Sequence, residues 1–421
     1  MRSFILNTRY LYLSLFLVLS CAFLGAQESS RGDQLTIKIA VMGPGTELYF
    51  WWGHLALIIE DSASGSARFY DWGIFSFESD HFFSNFALGR LWYQSGVSRA
   101  DRSIDVYVKA NRDVSFYTLD LPALVKEELR QFADTSVLPE NRRYRYHHFK
   151  DNCSTRIRDI IDMVTGGQFK QKFDSMPSKY TLRQHIRRYM YFSPFWDWLL
   201  NFLMGQDIDA PISVWQEMFL PQTVGTCIAD FSYTDTQGQI RPLVSSVEIV
   251  NQAQNRPVVL DSPRRQWIYE LVLGLALAVF FAYLMSAQAH KPSPRRRVVL
   301  ALSQSALGLF FGIAGSVLYF MSFFTDHDYC RYNANVLYIS PLLLAAIPLG
   351  IIVARNKNRR RSFFAQQLLV GLWTVVVLGG VLSMLIKLSP NFYQQNQATQ
   401  ALVLPFALVL AIVPRITRKW Q

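Results

Sequence analysis

Tyr144-Arg145-Tyr146-His147-His148-Phe149-Lys150-Asp151-Asn152-Cys153-Ser154-Thr155-Arg156-Ile157-Arg158-Asp159-Ile160-Ile161 passes from an aromatic run through polar residues to a helical pattern, and Cys153 stands at the change. Ile157, Ile160 and Ile161 recur at i, i+3, i+4, the spacing of one buried helix face, and Asp151, Asn152 and Ser154 are each able to cap its start. A thiol in that first turn faces unpaired backbone N–H groups and the positive end of the helix dipole, and both favour thiolate. Such a thiol is a nucleophile in need of a base. The candidate is His54, far upstream in Trp51-Trp52-Gly53-His54-Leu55-Ala56-Leu57-Ile58-Ile59-Glu60.

Around these two residues the chain reads as one α+β domain from about Leu35 to Arg264. Leu35–Val41 alternates like a strand and ends at the turn Gly43-Pro44-Gly45. Leu55–Glu60 and Ala67–Trp72 form a hairpin about Asp61-Ser62-Ala63-Ser64-Gly65-Ser66, which puts His54 at the start of its first strand. Arg102–Val108 and Val114–Leu119 are further strand candidates, Pro122–Phe132 reads as a helix, and Tyr180–Leu203 as one aromatic-rich helix. Phe75–Trp92 is aromatic and ambiguous.

Upstream, residues 1–27 have the form of an export signal: Arg2 and Arg9, an apolar run from Tyr10 to Leu19, then small residues ending at Ala26. Val18-Leu19-Ser20-Cys21 is also a loose lipidation signal, so cleavage after Ala26 and lipidation of Cys21 both stay open. Either way residues 28–264 lie outside the cytoplasm.

Downstream, in residues 265–421, Trp267–Ser286, Val298–Phe320, Val336–Ala354, Leu368–Ile386 and Ala401–Pro414 are apolar runs near bilayer length, five expected spans with the last short. The loops at 290–297 and 355–361 and the tail at 415–419 are basic, whereas the alternate loops are not, which puts the basic ones in the cytoplasm and the N-terminal domain across the membrane. Two independent features thus give one topology. The same clustering explains the net charge of +11 across 421 residues without nucleic acid. The four cysteines, Cys21, Cys153, Cys227 and Cys330, form no CxxC or close Cys/His pair, so neither zinc nor another metal or cofactor is expected. Cys227 and Cys330 both lie outside and are able to pair if their backbones come close enough.

A Cys–His pair needs a third group to orient the imidazole. Asp71, on the strand paired with that of His54, is the first choice and Glu60 the second. The Cys153 backbone N–H and the Asn152 side chain are placed to stabilise an oxyanion, with Asp151 supporting them. His147 and His148 are expected to pack or face solvent. In the outside loop Thr325–Asn335, His327, Asn333 and Asn335 are candidates for holding a lipid head group or a substrate amine at the membrane face.

Trp52-Gly53-His54-Leu55-Ala56-Leu57, Tyr70-Asp71-Trp72-Gly73-Ile74-Phe75 and Asp151-Asn152-Cys153-Ser154-Thr155-Arg156-Ile157-Arg158-Asp159 resemble the hallmarks of the Lnb family. The His-before-Cys order is similar to that of circularly permuted NlpC/P60-type, papain-like folds. Thr325-Asp326-His327, Asn333-Ala334-Asn335 and Pro341-Leu342 resemble the outside loop of the family's five-helix membrane domain. The resemblance implies a lipoprotein N-acyltransferase of the bacterial inner membrane. It would move a fatty acyl chain from a membrane phospholipid to the N-terminal cysteine amine of a lipidated lipoprotein, through a thioester on Cys153 with His54 as base. A papain-like fold also serves other chemistry. A membrane-tethered cysteine amidase or peptidase acting on cell-wall peptide, and a non-enzymatic membrane scaffold, are the alternatives.

Overall fold

The computed structural model describes residues 31–418 apart from Ser79, Gln266 and Pro390. The export signal and Cys21 lie outside the described residues. Strands β1 (Leu35–Met42), β2 (His54–Asp61), β3 (Ser66–Ile74), β4 (Trp92–Arg99), β5 (Val114–Leu119) and β6 (Arg143–Arg145) are followed by a short ribbon, β7 (Ser232–Thr234) and β8 (Ile240–Pro242), and by β9 (Val244–Asn251). Seven of them form one antiparallel sheet in the order β6-β4-β3-β2-β1-β5-β9. Helices α1 (Phe82–Ala87), α2 (Ala100–Lys109), α3 (Ala123–Ser136), α4 (Cys153–Val164), α5 (Gln168–Asp174), α6 (Leu182–Met190) and α7 (Pro194–Leu203) interrupt and follow the strands.

The period-2 pattern explains the two faces of the sheet. Leu35, Ile37, Ile39 and Val41 of β1, Leu55, Leu57 and Ile59 of β2, and Tyr70 and Trp72 of β3 pack against Leu129 and Ala133 of α3 and Ile157, Ile160 and Ile161 of α4. The opposite face, through Ala40, Met42, Ala56, Ile58 and Phe69, meets Ala100 and Ile104 of α2. Each fully buried Leu or Ile in such a core contributes about 1.5–3 kcal/mol. Burial on both faces is why β2 reads as a nearly continuous apolar run, whereas β1 alternates through Thr36 and Lys38 before its apolar end.

Four segments depart from the sequence reading. Arg102–Val108 is helical: Ile104, Tyr107 and Val108 stand at i, i+3, i+4 against the sheet, while Val106, which made the run look alternating, is 65% exposed. Tyr180–Leu203 is two helices, broken at Tyr191–Ser193, because Pro194 starts a new helix at a position where it needs no N–H partner. β4 and β9 carried little signal, since β4 buries only Ser95 and β9 is an edge strand with Val247 and Ile249 turned outward.

Five helices among the described residues are long and apolar enough to cross a membrane: Trp267–His290, Pro294–Phe324, Ala334–Arg355, Arg359–Leu388 and Gln397–Ile416. The third opens in short 3-10 turns before the helix proper at Ala346. The sheet domain sits at the end of the bundle away from the basic loops. There Trp198, Phe202 and Leu203 of α7 join the bundle core. The Asn333 and Asn335 side-chain amides donate to the Phe202 carbonyl at 2.8 and 3.0 Å, and Gln394 donates to the Met204 carbonyl. Buried Arg183 donates to Asp209 at 2.8 Å and to the Met204 and Gly205 carbonyls. Half-exposed ion pairs add to this, Asp326 with Arg90 and Arg145 and Asp328 with His147 and Lys150. Exposed pairs are worth about 0.2–1 kcal/mol each, so buried α7 and the amide network hold the junction.

Candidate active site

His54 is the first residue of β2, delivered there by Gly53, whose φ of +86° is left-handed and whose absent Cβ would stand 2.7 Å from the Met42 carbonyl oxygen. The β2–β3 register pairs Ala56 with Asp71. Continued by two residues it brings His54 opposite Gly73, so His54 and Asp71 share a face on a diagonal. His54 Nε2 lies 2.9 Å from Asp71 Oδ1 and donates to it, with the side chains 12% and 19% exposed. Asp71, chosen from strand geometry, is the carboxylate beside the ring. Glu60 is not, because it lies at the far end of β2 in an ion pair with Lys38.

With Nε2 committed to Asp71, Nδ1 is the ring nitrogen left for Cys153. The sulfur interacts with the His54 ring and accepts from the Leu55 backbone N–H. Burial pushes this thiol up, but the imidazolium charge, its hydrogen bond and the Leu55 N–H outweigh burial and hold Cys153 below the usual thiol range. Burial likewise pushes His54 down, yet the Asp71 carboxylate, followed by Tyr107 and Cys153, raises it well above an ordinary histidine. The two shifts agree in favouring a thiolate–imidazolium pair.

Helix α4 begins at Cys153 with Asn152 as its cap. Asn152 Oδ1 accepts from the Thr155 N–H at 2.9 Å, and the Thr155 hydroxyl accepts from the Asn152 N–H at 2.8 Å. This corrects the expected role of the Asn152 side chain: its Nδ2 donates to the His148 and Phe219 carbonyls, leaving no proton for an oxyanion. The first-turn backbone N–H of Cys153 is the donor that remains. Asp151 forms a bidentate pair with Arg156 at 2.7 and 2.9 Å, which lies 3.6 Å over the Tyr144 ring, so it braces the segment from outside the centre.

The membrane-face loop also differs from expectation. Asn333 and Asn335 are buried in the junction described above, turned away from any head group. His327 Nε2 donates to the Phe86 carbonyl at 3.1 Å and thereby ties the loop to α1. His147, expected to pack or face solvent, pairs with Asp328 of that loop at 3.0 Å, so the segment leading to Cys153 rests on the membrane domain. Cys227 and Cys330 are both free, each pushed up to about 12 by burial.

Two residues of the centre escaped the sequence reading. Tyr107 of α2 stacks on the imidazole, ring centroids 6.0 Å and planes 14° apart, and buried Arg112 lies 4.8 Å from the far side of Tyr107 while donating to the Gly43 carbonyl. Reading α2 as a strand hid Tyr107. Gly73 is the other: a Cβ there would stand 2.8 Å from His54 Cε1 and 3.3 Å from Asp71 Oδ1. Gly73→Ala must therefore tilt the ring away from Cys153. We expect catalytic turnover about 10–100-fold lower with the melting temperature nearly unchanged, because misplacement by less than an ångström weakens catalysis more than folding. An unaltered turnover would show that the ring tolerates displacement.

Fold and centre together define a class, a multi-pass membrane protein that presents a thiol, an imidazole and a carboxylate on an extracytoplasmic sheet domain. Residues 22–188 match the model of the Lnb N-terminal periplasmic domain, and residues 266–416 match that of the Lnb transmembrane domain. The two matches occur in one chain, in that order, and cover about three quarters of it. The chain belongs to the Lnb family, a membership that implies an enzyme of acyl transfer acting in lipoprotein N-acylation, with its N-terminal domain in the periplasm. No curated protein and no solved structure matches.

Proposed function

We propose that this protein moves a fatty acyl chain from a membrane phospholipid to the α-amine of a lipoprotein's N-terminal, lipid-bearing cysteine, through a thioester on Cys153. The observation that carries the reading is the alignment of Cys153, His54 and Asp71 at the sheet end that faces the membrane. An acyl donor and a lipidated acceptor both reside in the bilayer, and a centre fixed to five spans meets both without extracting either.

In the first half-reaction the Cys153 thiolate attacks an ester carbonyl of the donor, and the developing oxyanion is met by the Cys153 backbone N–H at the positive end of α4. As the carbon–oxygen bond breaks, the His54 imidazolium gives its proton to the departing alkoxide, leaving a lysolipid and a thioester. The thiolate charge, one of the causes that raise His54, has then gone, so the ring's raised value relaxes downward and the imidazole stands neutral, free to accept the next proton. In the second half-reaction the acceptor amine attacks the thioester, His54 takes the amine proton, the carbon–nitrogen bond forms, and thiolate departs. Asp71 holds the ring and balances its charge throughout. Papain-like architecture fits this use of a helix-start cysteine and a strand-start histidine.

Expression in bacteria depleted of their own lipoprotein N-acyltransferase tests the reading. Mass spectrometry of the N-terminal lipopeptide of an abundant lipoprotein is expected to gain one amide-linked acyl chain. A free amine that persists while the protein reaches the membrane would remove the transferase reading.

A further inference from the structure

Beside the centre lies a cleft of about 360 Å³, with an apolar part formed by Ile74, Phe75, Phe82, Phe86, Trp92 and Tyr93 and a polar part that includes Asp80, Asn85 and Gln94. The transfer reading assigns it no occupant. Its size is within the range of small-molecule pockets, about 300–1,000 Å³. Its inner wall borders the reacting groups without including them: Ile74 follows Gly73, which packs on His54, and Tyr93 stacks on Tyr146 at 4.1 Å with the Cys153 charge acting on both phenols. Its outer end reaches the bilayer. Helix α1, which supplies Phe82 and Phe86, is bonded to the outside loop through His327 and the Phe86 carbonyl, and Asp326 N–H donates to the Leu88 carbonyl. That loop follows directly on the end of the second span, where Phe323 and Phe324 are 62% and 73% exposed. Phe83 and Phe86 of α1 are exposed as well. Arg90, paired with Asp326 of the outside loop, and Arg143, over the Trp92 ring, also line the cleft.

Resting on the transfer reading, we infer that this cleft seats the acyl chain of the donor glycerophospholipid, entering past α1 from the outer leaflet with its ester carbonyl at Cys153. Aromatic walls suit a flexible methylene chain, because they bury it without requiring any directional partner. The hydrogen bonds that tie α1 to the loop after the second span set the cleft beside the membrane domain, where a lipid chain has a short way to travel.

The test is photolabelling of the full-length protein in vesicles of a phospholipid carrying a diazirine on its acyl chain. Adducts are expected in residues 74–94. Asn85→Trp, which fills the cleft from α1, is expected to reduce them about tenfold, the loss from about two methylenes left unburied, while Cys153 alkylates at the wild-type rate. Gln94→Trp does the same from the opposite wall if Asn85→Trp lowers protein yield. Adducts confined to the spans, or cleft adducts that neither variant reduces, would overturn the inference. So would stronger cleft labelling by a diacylglyceryl lipopeptide carrying the same diazirine, which would make the acceptor the occupant. Labelling needs no turnover. A protein that labels the cleft but never acylates an amine keeps this inference and loses the transfer reading.

Discussion

Cys153→Ala is expected to eliminate acyl transfer while leaving the protein in the membrane. In the proposed mechanism the sulfur forms the covalent bond, and removing a nucleophile of this kind costs on the order of 10⁴–10⁶ in turnover. The fold has little to lose, since α4 keeps its Asn152–Thr155 capping box and its Ile157, Ile160 and Ile161 face. Transfer in the depletion strain, scored beside membrane abundance of the variant, separates these effects. Residual transfer within about tenfold of wild type would place the nucleophile elsewhere.

How much of this centre is legible in the chain depends on which residues are local. Cys153 announces itself through a cap and an i, i+3, i+4 face within a dozen residues. His54 follows from its place at the start of the apolar run of β2, and Asp71 from pairing two strands across a short turn. The spans follow from length and from basic loops, which are composition. Tyr107 is different, because its place over the imidazole depends on α2 crossing the sheet, and Ile104-Asp105-Val106-Tyr107-Val108 satisfies a strand pattern as readily as a helical one. Gly73 was visible two residues beyond Asp71, on the same face, but its meaning depends on where the imidazole turns. Asn152 has the chemistry of an oxyanion donor, and only the carbonyls of His148 and Phe219 reveal that its protons are already used. Asn333 and Asn335 misled for a related reason: polar residues at a membrane face read as exposed, whereas here they satisfy the end of α7 inside the junction.

His54→Ala is expected to abolish transfer and also to change the thiol in a way that a merely structural histidine would not. In the wild type His54 holds Cys153 below the usual thiol range against burial. The thiolate therefore persists as pH falls towards neutrality and is lost only as pH passes down through the lowered Cys153 value. Without the imidazolium, burial is opposed mainly by the Leu55 N–H, and the thiol rises. Each unit of that rise costs about tenfold in thiolate at neutral pH. Iodoacetamide alkylation of Cys153 followed across pH should show its midpoint moved upward in the variant. Since His54 itself is raised, wild-type transfer falls on the basic side as the imidazolium that protonates the leaving alkoxide is lost, giving a bell whose two limbs belong to the pair. An alkylation profile identical in both proteins would remove His54 from the centre.

Intact-mass analysis of the purified protein after incubation with phospholipid vesicles, with no acceptor present, decides whether the acyl chain passes through Cys153. A mass increase of one acyl chain is expected, mapped to Cys153 and released by hydroxylamine, followed by its transfer to an amine when a lipopeptide is then added. An enzyme that transfers the chain with both substrates present, yet never carries acyl on Cys153 when given the donor alone, would contradict a thioester on Cys153.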